Sequence, residues 1–244
     1  MHRLIVTMVA WLAAIVCVPA IAQQGGNVEA SIKRTFEERA KGVKVLSVTR
    51  TPYAGLYEIR TDDNELLYTD DKVNFIFAGS ILDGRDPRRN LTEERMRKIT
   101  AVKFDELPLS SGFKIVRGNG KRQVAYFTDP NCPYCRKLEQ EMVQLEDVTI
   151  HVLLFPILAA DSMPKSRAVW CAKDRAKTWL DLMLNNVQPT PVECDTPIEK
   201  VLAYGRKIKV ESVPTLIFAN GERVAGMRPA AQLAKKLDAA AASK

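Results

Sequence analysis

Val124-Ala125-Tyr126-Phe127 is an unbroken apolar run, and five residues past it the chain reads Cys132-Pro133-Tyr134-Cys135. A continuous apolar run suits a strand covered on both faces. From Pro133 to Leu145 the apolar positions Leu138, Met142 and Leu145 share one helical face. A second buried run, Val148 to Phe155, follows. Two strands joined by a crossover helix lie parallel, so this stretch demands an α/β sheet. The cysteine pair sits where the strand hands over to the helix.

That position carries chemistry. Cys132 stands at the mouth of the expected helix and Cys135 one turn inside. Residues three apart share a helix face, which brings their Cα atoms within the roughly 5.5 Å a disulfide needs. Pro133 suits the first helical position, where its missing N–H is no loss. The helix N-terminus stabilises a thiolate at Cys132, and Cys135 is expected to be the more buried, resolving thiol. Two other readings of the pair are a purely structural bridge, which would remove little chain entropy over so short a loop, and a zinc site. Zinc lacks partners: Cys171 and Cys194 do not form a second C-x-x-C, and no metal is expected. His151 lies mid-strand and reads as a sheet residue, which leaves a Cys-His hydrolase poorly supported.

Residues 1–22 read as an address. A short basic start (His2, Arg3) precedes an uncharged, mostly apolar run from Leu4 to Val18, ending at Pro19-Ala20-Ile21-Ala22. This is the layout of a cleavable secretory signal, and the run is short for a membrane anchor. Cys17 leaves with it, so four of the five cysteines remain. An even count in an exported chain reads as two pairs. Spacing favours Cys132–Cys135 and Cys171–Cys194, the latter a structural staple closing about 24 residues and worth about 3 kcal/mol on a chain-entropy estimate.

The remaining pattern gives two domains. Val28, Ile32, Phe36 and Ala40 have helical spacing over Val28 to Lys41. Strands follow at Val43 to Thr49, Tyr53 to Arg60, Glu65 to Thr69 and Lys72 to Ala78. This small α+β unit buries little core alone and would gain from pairing with a second copy. Gly84 to Asn90, with Arg85, Arg88 and Arg89, reads as a polar boundary, and a connecting helix is expected from Leu91 to about Glu106. The net charge of +7 has no aromatic or motif support for nucleic acid, so no nucleic-acid partner is expected. Further on, a helical region is expected from Ser162 to Lys209, with Thr196 capping its last part. Asn220-Gly221 marks a hairpin between Thr215–Ala219 and Glu222–Gly226, and a final helix follows Pro229. In Ser212-Val213-Pro214-Thr215, a proline opening a strand is a candidate cis peptide.

Taken together, Phe127 to Leu138, the Cys171/Cys194 pair, Val213-Pro214 and Phe218-Ala219-Asn220-Gly221 resemble the periplasmic thiol:disulfide interchange proteins of the DsbC/DsbG type. The resemblance spans residues 23–240. It implies a signal peptide (1–22), an N-terminal cystatin-like α+β dimerisation domain (23–84), a linker helix (85–107) and an α/β thioredoxin-like catalytic domain with a helical insertion (108–244). It implies that Cys132 is the nucleophile and Cys135 the resolving thiol. Substrate would contact Val213, cis Pro214, Pro133 and Tyr134. No cofactor is implied. The partners would be misfolded or misoxidised exported proteins, a second copy of the chain and an inner-membrane thiol reductase of the DsbD type. Two residues depart from the usual isomerase pattern: Pro133 matches the DsbG-like variant, and Val213 stands where Thr is usual, as in the oxidase DsbA. Isomerase, oxidase, sulfenic-acid reductase and a non-catalytic chaperone therefore remain the alternatives. A glutaredoxin-like reductase also shares Cys-Pro-Tyr-Cys, but export counts against it.

Overall fold

Ile32 and Phe36, four residues apart on the first helix, are both buried, and around them the N-terminal unit is built. The computed structural model describes residues 23–53, 55–63 and 65–243; the signal reading over residues 1–22 lies outside them. The chain divides into two units after Thr92. Among the described residues no helix is long and apolar enough to cross a membrane.

Helix α1 (Gln23–Arg39) starts five residues before its apolar pattern does. It ends where Gly42 takes a positive φ of 92°, and Glu37 accepts a hydrogen bond from the Val45 N–H at 2.9 Å. That bond ties α1 to β1 (Val45–Arg50). β2 (Tyr57–Thr61), β3 (Leu66–Thr69) and β4 (Phe77–Ala78) complete an antiparallel meander in the order β1-β2-β3-β4. Ile59 on β2, opposite Val48, packs with Ile32, Phe36, Val45 and Val73.

The strand expected over Lys72 to Ala78 shrinks to two residues. Asp70 accepts from the Asn74 N–H (2.8 Å) and side chain (2.7 Å), and Val73 adopts φ 56°. The aspartate offers the backbone a local alternative to the ladder. The polar stretch expected as a boundary is instead a two-stranded ribbon, β5 (Leu82–Asp83) and β6 (Asp86–Asn90). Its arginines are matched: Arg85 and Arg89 pair with Asp83, and Arg88 with Asp86.

Helix α2 (Leu91–Ile99) begins where expected but stops seven residues early. The Val102 N–H donates to the Gly221 carbonyl at 3.0 Å, and Phe104, in a 3-10 turn over Phe104–Glu106, is buried. Burial and that hydrogen bond outweigh the helical propensity of the segment.

The C-terminal unit holds a five-stranded sheet in the order β11-β10-β8-β9-β7. β7 is Phe113–Arg117, β8 Arg122–Thr128, β9 Val148–Leu154, β10 Thr215–Phe218 and β11 Arg223–Ala225. β8 and β9 run parallel, joined by α3 (Pro133–Met142), and the other pairings are antiparallel. Between β9 and β10 lie α4 (Ser162–Cys171), α5 (Arg175–Asn185) and α6 (Ile198–Lys207); α7 (Ala230–Ala242) closes the chain. The helical region expected from Ser162 to Lys209 is thus broken twice. Asp174 caps α5 by accepting from the Lys177 N–H at 2.9 Å, and Asn186 ends it in a left-handed conformation. Thr196 does not cap α6: Pro197 holds that position without a side-chain cap bond.

Candidate functional site

The register of the sheet builds the site. Thr215 pairs with Phe127, so the start of β10 lies beside the end of β8. The residues just before Thr215 therefore meet the turn that follows β8. The Val213–Pro214 peptide bond is cis. Its Val213 carbonyl is 3.4 Å from the Cys132 sulfur and accepts from the thiol.

Cys132 is the N-cap residue of α3, and Pro133 fills the first helical position. The Cys132 sulfur accepts the Cys135 N–H at 3.0 Å, one of the helix donors that lack an intrahelical partner. Both thiols are free, with Cys132 3% and Cys135 0% exposed. Cys132 is held below the ordinary thiol value, chiefly by the hydrogen bond with the Cys135 thiol. Burial opposes this, the N–H groups of Cys135 and Tyr134 reinforce it, and the charge of Asp129 pushes upward. Burial, followed by the bond to Cys132, drives Cys135 far upward. One sulfur is thus prepared to ionise while its neighbour keeps its proton, a division that fits nucleophile and resolving thiol.

The structure places the other expected residues as follows. Tyr134 is 61% exposed, with the Lys137 ammonium 5.5 Å from its ring centroid. Arg136 turns away, toward the Asn186 side chain. Cys171 and Cys194 form a disulfide between the end of α4 and the irregular segment before α6. His151 lies within β9, faces Gln123 and meets the Phe104 ring edge-on. Among the described residues no cluster of His, Cys, Asp and Glu could hold a metal ion.

Residues 109–241 match the thioredoxin-like domain, and residues 23–93 match the disulfide bond isomerase protein N-terminal domain. The probable thiol:disulfide interchange protein DsbC of Bordetella parapertussis is 42% identical over 207 residues, which is 85% of this chain and 73% of that protein. The thiol:disulfide interchange protein DsbC of Escherichia coli K12 is 27% identical over 216 residues, 86% of this chain and 87% of that one. The crystal structure of a disulfide interchange protein from Neisseria gonorrhoeae aligns with a TM-score of 0.54 and 37% identity, over 55% of this chain and 99% of its own. This chain belongs to the DsbC family of thiol:disulfide interchange proteins. It is a disulfide oxidoreductase with a thioredoxin-like domain and a DsbC-type N-terminal domain, the fold class expected from the sequence.

Two polar clusters beside the DsbC-type cysteine pair had no assigned role in the sequence. Asp129 is completely buried. Its carboxylate accepts from the N–H groups of Asn131 (2.8 Å), Ile157 (2.7 Å) and Leu158 (2.9 Å) and from the Ser162 hydroxyl (2.8 Å). Asn131 extends this network to Asp161, Ser162 and Lys165. The second cluster lies on the buried side of α3. There Glu139 accepts from the Tyr126 hydroxyl and from the Trp179 indole N–H, the latter at 2.6 Å. Burial raises the Glu139 carboxyl, and burial is also the first cause of a strongly raised Tyr126. Neither acidic residue stands out in the sequence: Glu139 lies among Arg136, Lys137, Gln140 and Glu141, and Asp129 between Thr128 and Pro130-Asn131.

Proposed function

We propose that the chain is exported to the periplasm, loses residues 1–22 and acts there as a homodimeric disulfide isomerase and reductase on misoxidised exported proteins. The observation that carries this reading is the Cys132 sulfur, cradled by the Cys135 N–H at 3.0 Å at the tip of α3 and lowered in pKa.

The Cys132 thiolate attacks one sulfur of a client disulfide. The client S–S bond breaks, the other client sulfur leaves as a thiolate, and a mixed disulfide joins enzyme to client. A client thiolate that attacks the bridging client sulfur then forms a new client disulfide and releases Cys132, with no net redox change. If Cys135 attacks Cys132 instead, the client leaves with both sulfurs reduced and the enzyme pair is oxidised. Two electrons have passed to the client, and an inner-membrane thiol reductase of the DsbD type restores the dithiol. Val213, Pro214, Pro133 and Tyr134 contact the client beside the sulfur. Dimerisation uses the N-terminal unit, where Phe75, Ile76 and Phe77 are each close to half exposed at edge strand β4.

Val213, in place of Thr, favours a second reading as an oxidase, and Pro133 one as a sulfenic-acid reductase. The test compares mature protein with Cys132→Ser in refolding a scrambled multi-disulfide substrate, while the resting redox state is trapped. The variant is expected to fall to the uncatalysed rate and the resting pair to be reduced. Equal rates would leave only a non-catalytic chaperone, and an oxidised resting pair would favour the oxidase.

A further inference from the structure

The loop after β9 exposes Ile157 and Leu158, 43% and 51% accessible, although its backbone is rigidly held. Both of their N–H groups end on the same buried carboxylate that accepts the Asn131 N–H, one residue before Cys132. The Cys132 N–H in turn donates to the Asp129 carbonyl at 3.1 Å. One residue therefore fixes both the turn bearing the nucleophile and the loop bearing two apolar side chains.

We propose that Asp129 is a positioning residue that holds Ile157 and Leu158 as an apolar lip beside Cys132 for an extended apolar segment of an unfolded client. The inference rests on the thiol-exchange reading above. Four donors occupy the carboxylate, two of them the loop's own N–H groups. A neutral amide in its place would offer one acceptor fewer and turn a donor toward these N–H groups. The occupant follows from the covalent step: a client joined to Cys132 carries residues on both sides of its cysteine. At about 3.4 Å per residue these pass over the surface next to the sulfur. An unfolded client exposes the apolar side chains that such a lip takes up.

The experiment measures kcat/KM of the full mature protein for two disulfides. One is a peptide with apolar residues flanking its cystine, and the other is oxidised glutathione. The double variant Ile157→Ser/Leu158→Ser alters exposed side chains only. It is expected to lower the peptide-to-glutathione preference about tenfold, mainly through KM, as loss of two partly buried apolar contacts implies. Asp129→Asn is expected to lower that preference too. It should also move the pH profile of Cys132 alkylation downward, because a negative charge beside the thiolate is removed. A general loosening of the site would not produce that downward shift. An unchanged preference in the double variant overturns the lip. An unchanged peptide-to-glutathione preference in Asp129→Asn overturns the role of Asp129. Wild-type protein inert to both disulfides would refute the thiol-exchange reading, and the lip would fall with it.

Discussion

Single residues in this chain do their work through partners that composition does not reveal. His151 is an example. Burial, assisted by the charge of Lys114, lowers its pKa from 6.5 to about 4. In the unfolded chain it binds a proton near 6.5, so between those two pH values the unfolded state holds more protons. Its stabilising effect is complete above about pH 6.5 and is lost as the pH falls toward 4, a change of about 2–3 kcal/mol. Urea unfolding of wild type and His151→Gln at pH 7.5, 5.5 and 4.5 checks this, since the wild type should lose more stability on acidification than the variant. The sequence places His151 correctly in a strand because it stands inside the apolar run from Val148 to Phe155. It gives no sign that the imidazole would be sealed against Phe104 and Gln123. Asp129 is similar: it stands within a legible motif, but three of its four donors come from residues 28 to 33 positions away, and no local pattern encodes those three.

At the scale of elements, legibility follows how local the determining forces are. Helix α3 is announced by Pro133 and by the spacing of Leu138 and Met142, and the parallel β8–β9 pair by two apolar runs. The breaks between Ser162 and Lys209 are local, with only the start near Thr196 signalled in the sequence, whereas the early end of α2 depends on a contact with a distant segment, Gly221, that no local pattern encodes. Gly205 shows why such contacts matter. It sits inside α6, where alanine is intrinsically better by about 1 kcal/mol. An added Cβ would lie 2.3 Å from the ring of Phe155, which itself packs edge-on against Phe127. Gly205→Ala is therefore expected to destabilise by about 1–3 kcal/mol despite its helical propensity, measured as a lower urea midpoint with unchanged slope. The disulfide that ties α4 to the segment before α6 acts at the same scale. Replacing both Cys171 and Cys194 by Ala should cost about 3 kcal/mol through the freed unfolded chain while leaving Cys132 alkylation intact.

For the whole molecule, the proposed pairing of two N-terminal units is the property most open to test. Edge strands with exposed apolar residues invite another chain, and Ile76 and Phe77 provide them here. Ile76→Lys/Phe77→Lys is expected to halve the mass seen by sedimentation equilibrium. It should also reduce isomerisation of a scrambled protein more than reduction of glutathione, because two linked sites raise the effective concentration at a large client. A variant that retained the parental mass would place the pairing elsewhere. The contact from position 213 to the reactive sulfur is made by a main-chain carbonyl, and sheet register sets where that carbonyl stands. The socket is therefore indifferent to the side chain it holds. Exchanging valine for threonine there would leave that contact and the frame around it in place.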